Sequence, residues 1–267
     1  MKINILTLFP EMFYPVLNAS MLGKACEKGL LQFNIVDIRE YSRDKHHKAD
    51  DYPFGGGAGM LMMAQPICDC MENNAFGGKK IYMSPRGKVL DADMVKALAD
   101  EEELTILCGH YEGVDQRVLD KYDYEELSIG DYILTGGELP SMVLIDSVAR
   151  LIDGVLASEE SALEESIYTG LLEADQYTQP REYEGDEVPE VLTSGNHGAI
   201  ELWRYENSLR RTKKTRPDLF WAYAKKVEEA DEKIAKAKRE KLPKPEGKYC
   251  LDKQHHVVFL LVKDSEI

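Results

Sequence analysis

Two glycine-containing segments are the strongest candidates for a binding site in this chain of 267 residues. Residues 127–140 read LSIGDYILTGGELP, in which Gly136 and Gly137 are adjacent, and residues 109–113 read GHYEG directly after an apolar run. Glycine allows a sharp turn and a close approach between the backbone and a ligand. The two segments together therefore predict a small-molecule pocket built from peptide N–H and C=O groups. Each segment taken alone is equally typical of an ordinary tight turn.

Other kinds of site are disfavoured by the motifs that the sequence lacks. The first strand-to-helix turn, LFPEMF, has no GxGxxG, which disfavours a dinucleotide site at that turn, and no GxxxxGK[ST] occurs, so a P-loop is excluded. The five cysteines form no CxxC pair, which argues against a disulfide framework or a zinc site. His255 and His256 are adjacent, but no third metal ligand stands at a suitable spacing.

The glycine segments must be positioned by strands and helices that alternate along the chain, which indicates an α/β fold with a mainly parallel sheet. Apolar patterning predicts strands at 2–8, 31–38, 79–83, 104–108 and 132–134, and helices at 11–28, 65–74, 91–100, 115–121 and 140–152. Further helices are expected at 197–212 and 217–241, and a late strand-like run at 255–262. The helix at 140–152 is apolar around most of its circumference, which predicts burial on several sides, including a subunit interface.

Charge is distributed unevenly along the chain. The formal net charge is −15, which alone disfavours a nucleic-acid partner. Residues 158–187 hold ten acids and one Arg, whereas residues 203–216 hold six basic residues and one acid. This basic stretch predicts a phosphate-binding face, with Trp203 and Tyr205 able to stack on a base. The alternative is a helix with an ordinary exposed basic face. No apolar run is long enough to span a bilayer and no signal-peptide cleavage site is seen, so we expect a cytoplasmic protein without a membrane partner.

Seven segments resemble one known family, the bacterial tRNA (guanine-N1)-methyltransferases of the trefoil-knotted SPOUT superfamily. They are FPEMF, PFGGGAGMLM, GHYEGVDQRV, SIGDYILTGGELP, GLLEADQYTQP, VLTSGNHGAI and RPDLF, in the order and spacing of that family over roughly residues 1–222. The resemblance implies an α/β fold in which a trefoil-knotted parallel sheet is flanked by helices and followed by a small, mostly helical C-terminal domain. The expected divisions are a knotted cofactor-binding domain at 1–157, an acidic linker and active-site segment at 158–187, a helical tRNA-binding domain at 188–243 and a C-terminal extension at 244–267.

The resemblance also implies that the knot loops bind S-adenosyl-L-methionine. Loops at the carboxyl ends of parallel strands are a usual ligand crevice, which agrees with this expectation. For Tyr82 and Tyr132 the alternative is packing in the core or as a lid. Carried over by motif, the cofactor-binding residues are Tyr82, Met83, Ser84, Pro85, Gly109, Tyr111, Gly113, Ser128, Ile129, Gly130, Asp131, Tyr132, Ile133, Leu134, Gly136, Gly137 and Pro140.

The resemblance implies a catalytic role for three residues, Glu165, Arg150 and Glu112. Guanine N1 carries a proton at neutral pH, so a general base would accelerate methyl transfer by roughly 10²–10⁴-fold. Glu165 stands where the family has an Asp; its neighbour Glu164 is easily confused with it, and a surface charge is the alternative for either. Arg150 is expected to stabilise negative charge on guanine O6, or alternatively to pair with Asp146 four residues earlier.

Glu112 matches a functional family carboxylate near the cofactor or the guanine, with a turn or capping acid as its alternative. Glu173 lies where the family has an acidic residue and ranks lower. The implied RNA-binding residues are Ser194, Asn196, His197, Arg204, Arg210, Arg211, Lys213, Lys214 and Arg216. Asn196 is the expected N-cap of the basic helix, and a structural role is the favoured alternative for His197. His110, Gln179 and Ala58 depart from the Arg, Arg and Pro that are usual in the family.

The implied reaction is methyl transfer from S-adenosyl-L-methionine to N1 of the guanine at tRNA position 37. The resemblance further implies a homodimer whose active site is shared between subunits, and a requirement for Mg²⁺. Two alternatives stay open: a knotted RNA methyltransferase that acts on another nucleotide, and a non-catalytic RNA-binding homologue.

Overall fold

The computed structural model describes residues 1–156, 166–238, 250–251 and 257–258. The chain divides into two compact units, Met1–Ala162 and Leu163–Ile267. The boundary between them falls within the acidic segment 158–187. Glu164 and Glu165 lie outside the described residues.

The first unit is built on a five-stranded parallel sheet with the order β2-β1-β6-β5-β7. A two-stranded antiparallel ribbon, β3 with β4, accompanies it. The strands are β1 (Lys2–Thr7), β2 (Gln32–Asp37), β3 (Asp50–Asp51), β4 (Leu61–Met62), β5 (Lys79–Val89), β6 (Glu103–Cys108) and β7 (Glu125–Ser128).

Helices cover both faces of this sheet. The register places Ile5 of β1 beside Ile106 of β6, and both are fully buried. These side chains lie in one core with α2, α4 and α6, whereas Leu6 and Leu107 lie in a second core with α3 and α5. A parallel strand buried on both faces reads as a continuous apolar run, which is why the sequence marks β1 and β6 clearly. The helices are α1 (Tyr14–Leu17), α2 (Ser20–Glu27), α3 (Ala64–Asn74), α4 (Ala92–Ala99), α5 (Gln116–Tyr122) and α6 (Glu138–Ala149), with 3-10 turns at Pro10–Met12 and Ile38–Tyr41.

The second unit is mostly helical in its described part. Its small core contains Leu171, Leu209 and Phe220, with Tyr205 and Tyr223 packed against it. Its helices are α7 (Ser166–Thr169), α8 (Glu190–Thr193), α9 (His197–Thr215) and α10 (Pro217–Lys238), and its strand pairs are β8 (Glu182–Tyr183) with β9 (Asp186–Glu187) and β10 (Cys250–Leu251) with β11 (Val257–Val258).

Most sequence-based boundaries agree with the structure to within a few residues, and the expected α/β fold with a parallel sheet is confirmed. Two predictions are wrong. The single helix expected at 11–28 is instead a 3-10 turn and two helices, because Ala19 is extended and Ser20 has a positive φ of 50°. The strand expected at 132–134 is an exposed loop, and the last strand of the sheet is β7. Within the part of the chain that the structure describes, we find no helix with the length and apolar character needed to cross a membrane.

Candidate active site

The five parallel strands of the first unit end at one edge of the sheet, and the glycine segments follow two of them. Segment 109–113 leaves β6 and segment 128–137 leaves β7, while β5 carries Ser84 and Pro85. Residues 84–87 bulge out of β5, since Met83 and Lys88 both pair with Leu127. All the cofactor-binding positions predicted from the sequence, except Pro140 inside α6, therefore lie at or near this edge.

Gly109 and Gly137 bring the two segments into direct backbone contact. The Gly137 N–H donates to the Gly109 carbonyl at 2.7 Å, and His110 pairs with Gly136 in an isolated antiparallel bridge. A Cβ built on Gly137 would lie 2.6 Å from Gly109 N and 2.8 Å from Cys108 Cα. Only glycine fits at position 137 without moving the backbone, because atoms this close overlap.

Buried polar side chains hold this contact in place. The Ser141 hydroxyl donates to the Gly137 carbonyl at 2.6 Å and lies 3.1 Å from Cys108 Sγ. Burial raises the pKa of the Cys108 thiol, which is fully enclosed and so stays protonated. Glu138 is only 2% exposed, and its Oε1 accepts a hydrogen bond from the Thr7 hydroxyl at 2.8 Å. A buried carboxylate is rare unless it is hydrogen-bonded, so Glu138 acts as an anchor between β1 and the start of α6.

Residues 128–134, at and after the end of β7, form an apolar segment at the sheet edge, which we call the lip. Ser128 Oγ donates to the Gly130 carbonyl and accepts from the Gly130 N–H. The Tyr132 hydroxyl donates to the Ile129 carbonyl at 3.2 Å, which folds its ring over Gly130. Tyr132 is therefore not a core residue. Ile133 is 79% exposed and Leu134 is also exposed, so this lip has apolar surface free for a ligand.

Tyr82 forms the floor below the first glycine segment. It is buried in the second core, and burial raises the pKa of its hydroxyl. A Cβ on Gly109 would lie 2.7 Å from this hydroxyl. Core packing, the alternative considered for Tyr82, is thus what the structure shows, and the ring supports the loop from beneath.

Glu112 projects from the segment after β6 and is exposed. Its N–H donates to the Met60 carbonyl at 3.0 Å, and its side chain lies against Gly59. Tyr111 beside it adopts a left-handed φ of 57°. Beside this segment, Phe9, Met12, His110, Thr135, Gly136, Glu138 and Leu139 line an open cleft of about 190 Å³.

Arg150 lies far from the glycine contact within one chain. It is the exposed C-cap residue of α6, whose other end starts after Gly137. At 1.5 Å per residue the helix separates Arg150 from Gly137 by roughly 20 Å. The structure thus brings the two glycine segments and Glu112 together, but it does not bring Arg150 to them.

The predicted RNA-binding residues lie at the start and along the length of α9. Asn196 is the N-cap, as expected, since its Oδ1 accepts from the Ala199 N–H at 3.2 Å. Three cations are paired with acids: Arg210 with Glu206, Arg211 with Asp175 and Arg216 with Asp218. Such exposed ion pairs contribute only about 0–1 kcal/mol each, so a phosphate can compete for these cations. Ser194, His197, Arg204 and Lys214 are exposed, and Lys213 is half-buried.

The two aromatic residues of this stretch, which the sequence indicates as able to stack on a base, are placed differently. Tyr205 packs against the small core of the second unit, with its hydroxyl 3.5 Å from that of Tyr223. Trp203 is half-buried, with its ring centroid 6.4 Å from that of Tyr177. The side chain of Tyr205 is therefore used for folding.

Comparison with known proteins assigns the chain to a family. The tRNA (Guanine-1)-methyltransferase TrmD family matches residues 1–222. A protein of Ruminiclostridium cellulolyticum named tRNA (guanine-N(1)-)-methyltransferase is 56% identical over 224 residues, which cover 82% of this chain and 96% of that protein. A protein of the same name from Clostridium botulinum (strain Kyoto, type A2) is 53% identical over 244 residues, 91% of this chain and 100% of that protein. The chain belongs to this family.

In this member of the tRNA (guanine-N1)-methyltransferase family, Thr7, Glu138 and Ser141 support the glycine contact, and local sequence patterns predict no functional role for any of them. The one available signal was Glu138 itself, an acid directly between the paired glycines and an apolar helix. The sequence pattern predicts a helix that starts at Pro140, but α6 begins at Glu138.

Proposed function

We propose that this protein transfers a methyl group from S-adenosyl-L-methionine to N1 of the guanine at tRNA position 37. The observation that carries the proposal is the backbone contact between Gly109 and Gly137 at the carboxyl edge of the parallel sheet. It joins two loops into one crevice in a chain of the tRNA (guanine-N1)-methyltransferase family. The alternatives, another target nucleotide or RNA binding without turnover, have no observation in their favour.

The residues at this crevice fit an adenosine-type ligand. The lip at 128–134 offers exposed apolar side chains and leads along the chain to the joined backbone of Gly136 and Gly137. Aromatic and apolar surface with a few well-placed polar groups is the common composition of cofactor sites. In this proposal the residues that the family resemblance implies, from Tyr82 to Pro140, form the cofactor site. Tyr82 supports the segment at Gly109 from beneath.

When bound, S-adenosyl-L-methionine supplies an electrophilic methyl group on a sulfonium centre. Glu165 accepts the N1 proton of guanine in this proposal, and its extra methylene relative to Asp changes its reach. Arg150 donates to guanine O6 and stabilises the charge that develops as N1 loses its proton. Glu112, held by Met60 and Gly59, orients the cationic end of the cofactor or the guanine.

A shared active site in a homodimer belongs to the same proposal. The separation of roughly 20 Å along α6 keeps Arg150 away from the cofactor crevice of its own chain. Leu139, Val143, Asp146 and Arg150 are spaced four, three and four residues apart, so they follow one exposed face of α6. A second copy packed on this face would bring its Arg150 towards the crevice.

The proposal also includes a trefoil knot, an active-site linker and an RNA-binding helix. The return of segment 136–137 onto Gly109 and His110 supports the family's trefoil knot. Residues 158–187 would act as linker and active-site segment, and α9 would bind the tRNA backbone through its exposed cations. We place the reaction in the cytoplasm.

Mg²⁺ stays an implication of the family alone, since the described residues contain no cluster of three or more His, Cys, Asp or Glu able to hold a metal ion.

Methylation of bulk tRNA tests the proposal. Incubation with labelled S-adenosyl-L-methionine, followed by nucleoside mass spectrometry, should yield 1-methylguanosine from position 37. A different methylated nucleoside would favour another target, and binding without methylation would favour the non-catalytic alternative.

Variants of the two adjacent acids test the base assignment. Glu165→Gln should lower the rate by roughly 10²–10⁴-fold with cofactor binding retained, Glu165→Asp should restore most of it, and Glu164→Gln is the matched control. Equal effects of the Gln variants at 164 and 165 would contradict the assignment.

A further inference from the structure

The loop between β3 and β4 presents two uncovered aromatic rings. Phe54 is 100% exposed and Tyr52 is 77% exposed. Burying a ring of this size removes 150–250 Å² from water, so full exposure of Phe54 leaves a large stabilising contact unused. The ring is therefore suited to a partner from outside the chain.

The glycines that follow Phe54 do not serve packing within the chain. A Cβ built on Gly55, Gly56 or Gly57 would meet no atom within 4 Å. Their φ angles are 90°, 79° and 124°, a region that disfavours other residues. The loop thus displays bare peptide groups next to Phe54 and leaves room for a partner to approach them closely.

This loop is attached to the candidate active site. Glu112 N–H donates to the Met60 carbonyl at 3.0 Å, and Met62 N–H donates to the Gly113 carbonyl at 2.9 Å. Gly59 lies against the Glu112 side chain. The loop that carries Phe54 is therefore joined, through residues 59–62, to the segment that follows β6.

Basic residues precede the loop on the same stretch of chain. Lys45, His46, His47 and Lys48 are consecutive and exposed, although the whole chain carries a net charge of −15. Lys48 Nζ forms an ion pair with Asp51 Oδ1 at 3.2 Å, whereas the Lys45 side chain is exposed to solvent. Cations and exposed aromatics on one surface are typical of sites that bind single-stranded nucleic acid, and here Asp50 and Asp51 separate the two groups along the chain.

We propose that residues 45–57 form an RNA-contact surface in which Phe54 stacks on an unpaired nucleobase beside the target guanine and Lys45 contacts a neighbouring phosphate. This inference rests on the proposed function, because the RNA is the tRNA substrate. It adds to that function a contact on the first unit, distinct from the cations of α9. A target base must leave its stack before methylation, and an aromatic ring nearby can hold the base next to it.

Equilibrium binding of tRNA to Phe54→Ala tests the surface. Stacking contributes about 1–3 kcal/mol per base, so the tRNA Kd should rise roughly 5- to 150-fold while the Kd for S-adenosyl-L-methionine is unchanged. Phe54→Trp should bind as tightly as the wild type, and Phe54→Leu should bind as weakly as the Ala variant. Tyr14→Ala is the matched control, because Tyr14 is also exposed but lies on α1, outside the proposed binding residues, and should leave the Kd unchanged.

Each outcome is decisive. A tRNA Kd within twofold of wild type for Phe54→Ala, with wild-type methylation intact, would overturn the surface and leave the proposed function standing. Loss of self-association in Phe54→Ala by light scattering, with tRNA affinity unchanged, would also overturn it, since Phe54 would then contact a second copy. A wild-type protein that neither binds nor methylates tRNA would instead remove the proposed function itself.

Discussion

Gly137→Ala tests the role of the glycine contact most sharply among single substitutions. The added Cβ would lie 2.6 Å from Gly109 N, 2.8 Å from Cys108 Cα and 3.0 Å from Cys108 C. All three are backbone atoms, so no side-chain rotation relieves the overlap. The start of α6 must move away from the end of β6, which breaks the 2.7 Å hydrogen bond from Gly137 N–H to the Gly109 carbonyl.

The size of the effect follows from this geometry. Overpacking of a well-packed region costs about 1–3 kcal/mol, and an overlap with three backbone atoms places this substitution at the upper end, about 3 kcal/mol. A domain of 150–250 residues loses about 2–4 °C of Tm per kcal/mol, so we expect the Tm of the first unit to fall by about 6–12 °C. Typical total stabilities of 5–15 kcal/mol leave the variant folded at 25 °C.

The assay combines calorimetry with titration of S-adenosyl-L-methionine. Separation of the two loops should weaken cofactor binding about tenfold or more, a change of about 1.4 kcal/mol. Gly198→Ala in α9 is the matched control, because its Cβ would meet only Asn196 Oδ1 at 3.7 Å, and it should change neither the Tm of the first unit nor cofactor affinity. A Gly137→Ala protein with wild-type Tm and cofactor affinity would refute the reasoning.

Three further outcomes are expected. Thr7→Val leaves the buried Glu138 Oε1 without its donor and should lower the free energy of unfolding in urea by about 1–3 kcal/mol; Thr7→Ser should restore it, and equal stability of the two variants would contradict the anchor. Burial raises the pKa of Cys70 from 9.0 to about 12, so the native thiol should resist alkylation at pH 8 in peptide mapping. Above pH 9 the unfolded thiol ionises first, so stability attributable to Cys70 should fall as the pH rises towards 12; rapid native labelling would contradict this. The double variant of Arg210 and Arg211 to Ala should reduce the slope of log K for tRNA against log salt by about 0.7–0.9 per lost phosphate contact, and an unchanged slope would remove these cations from the interface.

Local signals in the sequence predict the elements that bury apolar side chains on a regular period. β1 and β6 were predicted to within one residue because both faces of each strand are buried. Asn196 was predicted as an N-cap because capping depends on residues three positions apart. These features need no knowledge of the rest of the chain.

Features that depend on distant contacts were not predictable in the same way. β7 contains Glu125 and Glu126, which pair with Lys79 and Arg86 of β5, so its charged sequence hides a strand. The apolar residues 132–134 resemble a strand but form an exposed lip. Thr7 and Glu138 are 131 positions apart, and nothing local to either residue indicates their hydrogen bond.

Crystals soaked with S-adenosylhomocysteine, the product of the cofactor, test the central claim most directly. We predict electron density for the adenosine between residues 109–113 and the lip at 128–134, against the joined backbone of Gly109 and Gly137. Density for the ligand at any other place in the chain, with this crevice filled by protein atoms, would contradict the account.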